Sequence, residues 1–223
     1  TILVDGDIAD TVRSASNGTY SITLDAIARG VYTFGVYGTS PDNVKSSTFS
    51  TSFTVTGART SELTNINVMP SIKATPDPVD IGQILTVSGY AIPNSTVTLE
   101  NARKNSRMAA TFTASADSSG RWSTTISTNN FSKDTYQVRA KSETAGGVST
   151  NFSQYTYYGV GQSAAGPLNA DLNTDGKVNL TDFSILLFWW NTNGGDSNPP
   201  ADINRDARVT LTDFSILLFN WTG

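Results

Sequence analysis

The chain has 223 residues, a formal charge of −4 and a charged fraction of only 15%, which argues against a nucleic-acid-binding face. It contains neither cysteine nor histidine, so disulfide frameworks, thiolate and Ser-His-Asp chemistry and the commonest zinc ligand are closed to it. The longest apolar run, Ile185–Trp190, is six residues, against the roughly 18 a membrane span needs.

From the N-terminus to about residue 158, short apolar runs alternate with Gly, Ser, Thr and Asn, the pattern of an all-β body. Residues 1–57 read as a partial immunoglobulin-like sandwich, 58–69 as a connector and 70–158 as a complete immunoglobulin-like sandwich. An internal repeat links the two. Gly18-Thr19-Tyr20-Ser21-Ile22-Thr23-Leu24 parallels Gly120-Arg121-Trp122-Ser123-Thr124-Thr125-Ile126, so Tyr20, Ile22 and Leu24 share a strand face as Trp122, Thr124 and Ile126 do. Asn17-Gly18 and Ser119-Gly120 are turn signals ahead of those strands. The next strand matches Tyr32, Phe34 and Val36 to Tyr136, Val138 and Ala140.

The second copy predicts strands at 72–75, 84–90, 96–101, 108–114, 121–127, 135–142 and 150–157, with Pro76, Pro78 and Pro93 between them. In the first copy Thr1-Ile2-Leu3 aligns with Thr98-Leu99-Glu100, so the strands that should precede it are missing. A sandwich short of two strands leaves backbone groups unpaired and one flank of core open. With Thr1 first and no Met or signal peptide, the chain reads as part of something longer; strand donation from a neighbouring subunit, building a fibre, is the alternative.

The sandwich residues offer weak chemistry. Trp122 and Tyr136 fit a sugar platform, but their alternation with Ile126 and Val138 places them in a core; Tyr155, Tyr157 and Tyr158 cover a sandwich end or stay exposed. Glu62, Glu100 and Glu143 are the only glutamates, too few and too scattered for a paired-carboxylate hydrolase. Lys73 and Lys141 fall on outward strand positions, which disfavours a buried Lys–Asn cross-link. No enzyme activity is expected.

Residues 159–167 read as a linker, and 168–223 as a small all-α module. There the nonamer Leu180–Phe188 recurs unchanged at Leu211–Phe219, 31 positions on. Each copy closes a twelve-residue run of oxygen side chains with the spacing of a calcium loop, whose ligands come from positions 1, 3, 5, 7, 9 and 12. In the first loop these are Asp171, Asn173, Asp175, the Lys177 carbonyl, Asn179 and Asp182, with Gly176 at the sharp turn. The second offers Asp202, Asn204, Asp206, the Arg208 carbonyl, Thr210 and Asp213, with Ala207 at the turn position, where left-handed backbone costs on the order of 1 kcal/mol. Weaker binding is expected there. Val178 and Val209, at position 8, are placed to make a short β-contact between the paired loops.

Aspartate at position 12 and the short tandem spacing carry a family resemblance. Asp171-Leu172-Asn173-Thr174-Asp175-Gly176-Lys177-Val178-Asn179-Leu180-Thr181-Asp182 and its partner resemble the type I dockerin repeat over about residues 168–223. The resemblance implies two calcium ions in F-hand-like loops, two antiparallel helices and docking to a cohesin domain. It also implies a partner face at Leu180, Thr181, Leu187 and Phe188 and at Leu211, Thr212, Leu218 and Phe219. Leu-Thr and Leu-Phe depart from the Ser-Thr and basic residues common at these positions, so familiar cohesin specificities do not transfer. Near-identity of the copies implies a pseudo-twofold and two possible partner orientations.

Helix spacing points to a partner independently. Phe183, Leu186 and Trp190 should pack on Phe214 and Leu217, leaving Ile185, Leu187, Phe188 and Trp189 to be covered by a partner, by the sandwich or by Trp221. The sandwich residues resemble, more loosely, immunoglobulin-like repeats of bacterial surface proteins, at Asp117-Ser118-Ser119-Gly120-Arg121-Trp122 and Gly30-Val31-Tyr32-Thr33-Phe34; this implies a spacer or stalk. The whole reads as a non-catalytic, extracellular or cell-surface bacterial assembly protein. A filament subunit built from identical chains is the alternative, and a carbohydrate-binding module a third.

Overall fold

The structure, a computed structural model, describes residues 1–57, 60–164, 169–194, 199–204 and 208–223. The chain divides into two compact units, Thr1–Gln162 and Ser163–Gly223. The first is built of antiparallel sheets and the second contains two helices, so the protein is mainly β with a small helical module.

In the first unit the strands are β1 (Ile2–Val4), β2 (Asp7–Asp10), β3 (Gly30–Val36), β4 (Phe49–Val55), β5 (Lys73–Thr75), β6 (Ile84–Tyr90), β7 (Thr96–Arg103), β8 (Ala110–Ser115), β9 (Arg121–Ser127), β10 (Asp134–Glu143) and β11 (Thr156–Val160). β5-β6-β9 and β11-β10-β7-β8 form the two layers of a sandwich. Period-two alternation turns Leu85, Val87, Leu99, Trp122, Ile126, Val138 and Tyr158 into one core cluster. Trp122 and Tyr136 are therefore core residues, not a platform. Tyr158 is fully buried and its hydroxyl donates to Asn101 Oδ1 at 2.8 Å. Burial raises its pKa well above the usual phenol value.

Two strand expectations shift. The run expected at 150–157 begins pairing regularly only at Thr156, because hydroxyls stand in for carbonyls before it: Ala140 N donates to Ser153 Oγ and Ser142 N to Thr150 Oγ1. β11 then runs on through Gly159 and Val160, which the sequence reading gave to the linker. Val160 is fully buried and Val79 N donates to Gly159 O, so both belong to the sandwich.

The N-terminal repeat forms a single four-stranded sheet, β2-β1-β3-β4, with the topology of β8-β7-β10-β11. Register agrees as well. Phe34↔Val4 and Val36↔Ile2 stand where Val138↔Asn101 and Ala140↔Leu99 stand in the complete copy. The strand expected over Tyr20–Leu24 forms no ladder. Its counterpart β9 pairs with β6, whereas no strand among the described residues pairs with Tyr20–Leu24.

In the second unit α1 (Leu180–Phe188) and α2 (Leu211–Phe219) are the two copies of the nonamer. Leu186 and Leu217 are fully buried, and the Phe183 and Phe214 rings meet at 5.1 Å between centroids. Ala170, Leu172, Val178, Ala201, Ile203 and Val209 complete this core. No helix among the described residues is long and apolar enough to cross a membrane.

Candidate metal centre and docking face

The first loop is organised by its own oxygens. Asp171 Oδ1 and Oδ2 accept from the Asp175 and Gly176 amides at 3.1 and 2.9 Å, and Asn173 Oδ1 accepts from the Asp175 amide at 3.0 Å. Asp175 Oδ1 accepts from Lys177 N at 2.8 Å, and its Oδ2 from Asn173 Nδ2 at 2.8 Å. Side chains at positions 1, 3 and 5 are thus folded over their own backbone, and Gly176 takes the positive φ of 92° that the turn requires.

Asp182 closes the loop. It is fully buried; Oδ1 accepts from the Leu172 and Asn173 amides at 2.7 and 3.1 Å, and Oδ2 from Asn179 N at 2.9 Å. Position 12 is thereby tied to positions 2, 3 and 9. Asn179 is also the N-cap of α1, its side chain accepting from Thr181 N, so one capping box joins the loop to its helix. Burial raises the Asp171 pKa; the Gly176 amide opposes the rise, and the Asp175 and Asp182 carboxylates add to it.

The second loop repeats the closure. Asp213, also fully buried, accepts from Asn204 N at 3.0 Å and from Thr210 N at 2.8 Å, while Thr210 caps α2 by accepting from Thr212 N. Asp202 is buried. Asp206 and Ala207 lie outside the described residues. The donor chemistry of loop 1 is three carboxylates, two amide oxygens and a carbonyl within one twelve-residue stretch. An all-oxygen, net-anionic set of this kind fits a hard cation such as calcium and not a thiophilic or imidazole-seeking metal.

Position 8 behaves differently from expectation. Val178 and Val209 do not pair with each other. Thr222 N donates to Val178 O at 2.9 Å and Val178 N to Thr222 Oγ1 at 2.8 Å, while Asn191 N donates to Val209 O at 3.0 Å and Val209 N to Thr192 O at 2.8 Å. Thr222 and Asn191 are 31 positions apart, so the clasp obeys the repeat. Each loop is held by the residues that leave the other repeat's helix, because antiparallel helices carry each tail back to the opposite loop. Sequence reasoning missed these residues, although the shift of 31 already related them.

The eight residues named as the partner face are all exposed: Leu180, Thr181, Leu187 and Phe188 on α1, and Leu211, Thr212, Leu218 and Phe219 on α2. Phe188 is 77% and Phe219 88% exposed. Ile185 and Trp189, expected to seek outside cover, are instead half-buried against the module's own core. Trp221 adds to the exposed surface beside Phe219 in sequence and does not cover it.

A search of curated proteins returns no match. Among solved structures, the chain is similar to the chicken interferon gamma receptor alpha chain at 13% identity and a TM-score of 0.36, covering 59% of this chain and 66% of that one. It is similar to the FN1–FN3 domains of chicken CNTN1 at 15% identity and a TM-score of 0.33, covering 62% and 46%. A family 76 glycoside hydrolase from a bovine Bacteroides thetaiotaomicron strain gives 8% identity, a TM-score of 0.31 and coverage of 58% and 27%. The chain spans less than two thirds of each of these three. A family model described as the dockerin type I domain matches residues 169–218. Type I dockerin domains bind calcium, support docking to cohesins and occur in extracellular or cell-surface proteins. The duplicated loop-and-helix segment of this chain therefore belongs to the type I dockerin family.

Proposed function

We propose that this chain is a non-catalytic assembly segment of a bacterial surface or secreted protein, with two calcium ions in its dockerin module and a cohesin-like domain as its partner. Asp171, Asn173, Asp175, the Lys177 carbonyl, Asn179 and Asp182 would hold the first ion. Asp202, Asn204, Asp206, the Arg208 carbonyl, Thr210 and Asp213 would hold the second. The observation that carries the reading is the paired exposure of Phe188 and Phe219 at equivalent places on identical helices, where a solvated helix would present charge. Calcium fixes the loops, capping joins each loop to its helix, and the helices present Leu187-Phe188 and Leu218-Phe219 to the partner. Immunoglobulin-like units ahead of the module serve as a spacer; domain limits of 1–57, 70–160 and 168–223, with connectors between, suit that role.

Calorimetry with calcium and with EDTA tests the metal half of the reading. Chelation should lower the melting transition of the module and leave that of the sandwich unchanged. An unchanged module transition, with no stoichiometric calcium in titration, would sink it. Titration against a panel of cohesins tests the other half: binding is expected in calcium and lost in EDTA. A chain that instead forms concentration-dependent oligomers through the same helices would be a filament subunit.

A further inference from the structure

The segment Thr48-Phe49-Ser50-Thr51-Ser52-Phe53-Thr54 reads the same in both directions. All of it but Thr48 lies in β4, an end strand of the sheet β2-β1-β3-β4. Burial follows the palindrome: Phe49, Thr51 and Phe53 are half-buried on one face, while Thr48, Ser50, Ser52 and Thr54 are exposed. From Ser46 to Gly57 there is neither a charge nor a proline, the devices with which an end strand ordinarily resists pairing. β2, at the other end of the sheet, has an aspartate at each of its ends.

Hydrogen-bond phase decides which backbone groups of β4 are open to pairing. Thr1 and Tyr37 exchange both their bonds and Asp5 N donates to Thr33 O, so the odd-numbered residues along β3 turn their amides and carbonyls toward β1. The even-numbered ones turn toward β4, where Val36, Phe34, Tyr32 and Gly30 stand opposite Phe49, Thr51, Phe53 and Val55. Ser50, Ser52 and Thr54 therefore aim their amides and carbonyls outward, and no described group meets them. β11, the counterpart of β4 in the complete sandwich, is an end strand too. An isolated bridge from Val79 reaches it only at Val160, the counterpart of Val55. The open edge thus belongs to this position in the fold.

We propose that β4 is a self-pairing edge, through which two copies of this chain join antiparallel about a twofold axis at Thr51. With Thr51 opposite its own mate, Ser50 faces Ser52, Phe49 faces Phe53 and Thr48 faces Thr54 of the second copy. The Thr51 pair is then a non-hydrogen-bonded one, and the outward amides and carbonyls of Ser50 and Ser52 meet as hydrogen-bonded pairs. Half-buried residues stay on one face and exposed residues on the other. A shift by two residues keeps the phase but separates Phe49 from Phe53, whose cross-strand contact favours this register. Lys45, the nearest charge on its side, falls opposite Gly57, so no like charges meet. The second sandwich is joined at the Ser47 end, where Gln154 N donates to Ser47 Oγ at 2.7 Å. Antiparallel pairing therefore carries the two second sandwiches to opposite ends of the shared edge. Because the twofold uses the same edge of both copies, assembly closes at a dimer and builds no fibre.

Pairing along one short strand lies at the small end of interface sizes, so sedimentation equilibrium should show a monomer–dimer equilibrium with a dissociation constant on the order of 10 μM. Ser52→Pro removes an outward amide that β3 does not use. The sandwich melting transition should therefore hold while the dissociation constant rises at least about tenfold. Cysteine variants read the register independently of that substitution, since the chain has no cysteine of its own. Under mild oxidation Thr51→Cys should give a disulfide-linked dimer, whereas Thr54→Cys, whose two copies lie about 20 Å apart, should not. A chain that stays monomeric at about 100 μM overturns the proposal. So does a dimer that persists in Ser52→Pro, or one linked as fast through Thr54→Cys as through Thr51→Cys. Chelation of calcium should leave the dimer in place, which separates this result from the docking reading. A dimer lost in EDTA, or in the Phe188→Lys, Phe219→Lys double variant, would put the contact on the helices and overturn pairing through β4.

Discussion

Asp182 and Asp213 occupy position 12 of their loops and the third position of their helices, and burial at both accompanies this double use. Asp182 accepts from three backbone amides, those of Leu172, Asn173 and Asn179, and so pairs donors across the turn. Its contribution is therefore not confined to the metal binding proposed for it. Asp182→Ala should destabilise the module by about 2 kcal/mol even in excess EDTA, because a capping interaction and buried amide partners are lost together. Asp175→Ala, at a position whose amide partners lie partly toward solvent, should matter mainly when calcium is present. Chemical denaturation followed by far-ultraviolet circular dichroism separates them; equal losses with and without calcium for both variants would show that the two positions serve the same purpose.

Among the elements, the helices are stabilised less by their own sequence than by what grips their ends. Neither nine-residue helix has a basic residue in its last turn, and a helix this short is marginal alone. The clasp between Val178 and Thr222 supplies an anchor beyond the end of α2. Thr222→Ala removes the acceptor for Val178 N and should cost about 1 kcal/mol. It should also weaken calcium in the first loop more than in the second, as amide shifts during a calcium titration would reveal; equal weakening of both loops would contradict the cross-repeat clasp. The same contrast marks what the sequence could express. Loops, helices and most strands were legible because their signals are local: oxygen spacing, an unbroken nonamer, period-two alternation. The clasp was not, since it joins each loop to the tail of the other repeat's helix, across 44 positions in the case of Val178 and Thr222. Nor was the fate of Thr19–Leu24, whose alternation is that of a strand but whose ladder depends on a partner strand. β11 shifted because the hydroxyls of Thr150 and Ser153 displaced carbonyls, a choice that propensity does not encode.

Across the whole molecule, apolar surface is distributed in a way that folding alone does not explain. The complete sandwich buries its large side chains, with Trp122, Leu85, Leu99 and Ile126 sealed, and the dockerin core seals Leu186 and Leu217. Phe188 and Phe219 stay outside although both units already have cores. Residues that contribute to no core should be dispensable for stability. Phe188→Lys combined with Phe219→Lys is therefore expected to leave both melting transitions within about 2 °C of the parent, since surface changes usually stay within about 0.5 kcal/mol. The same pair should abolish binding to any cohesin that recognises the parent, and either change alone should weaken it less, because the pseudo-twofold keeps the other face intact. Calorimetry and titration on the single and double variants decide the matter. A large loss of stability would return these phenylalanines to the fold, whereas stable variants that no longer bind would assign them to the partner.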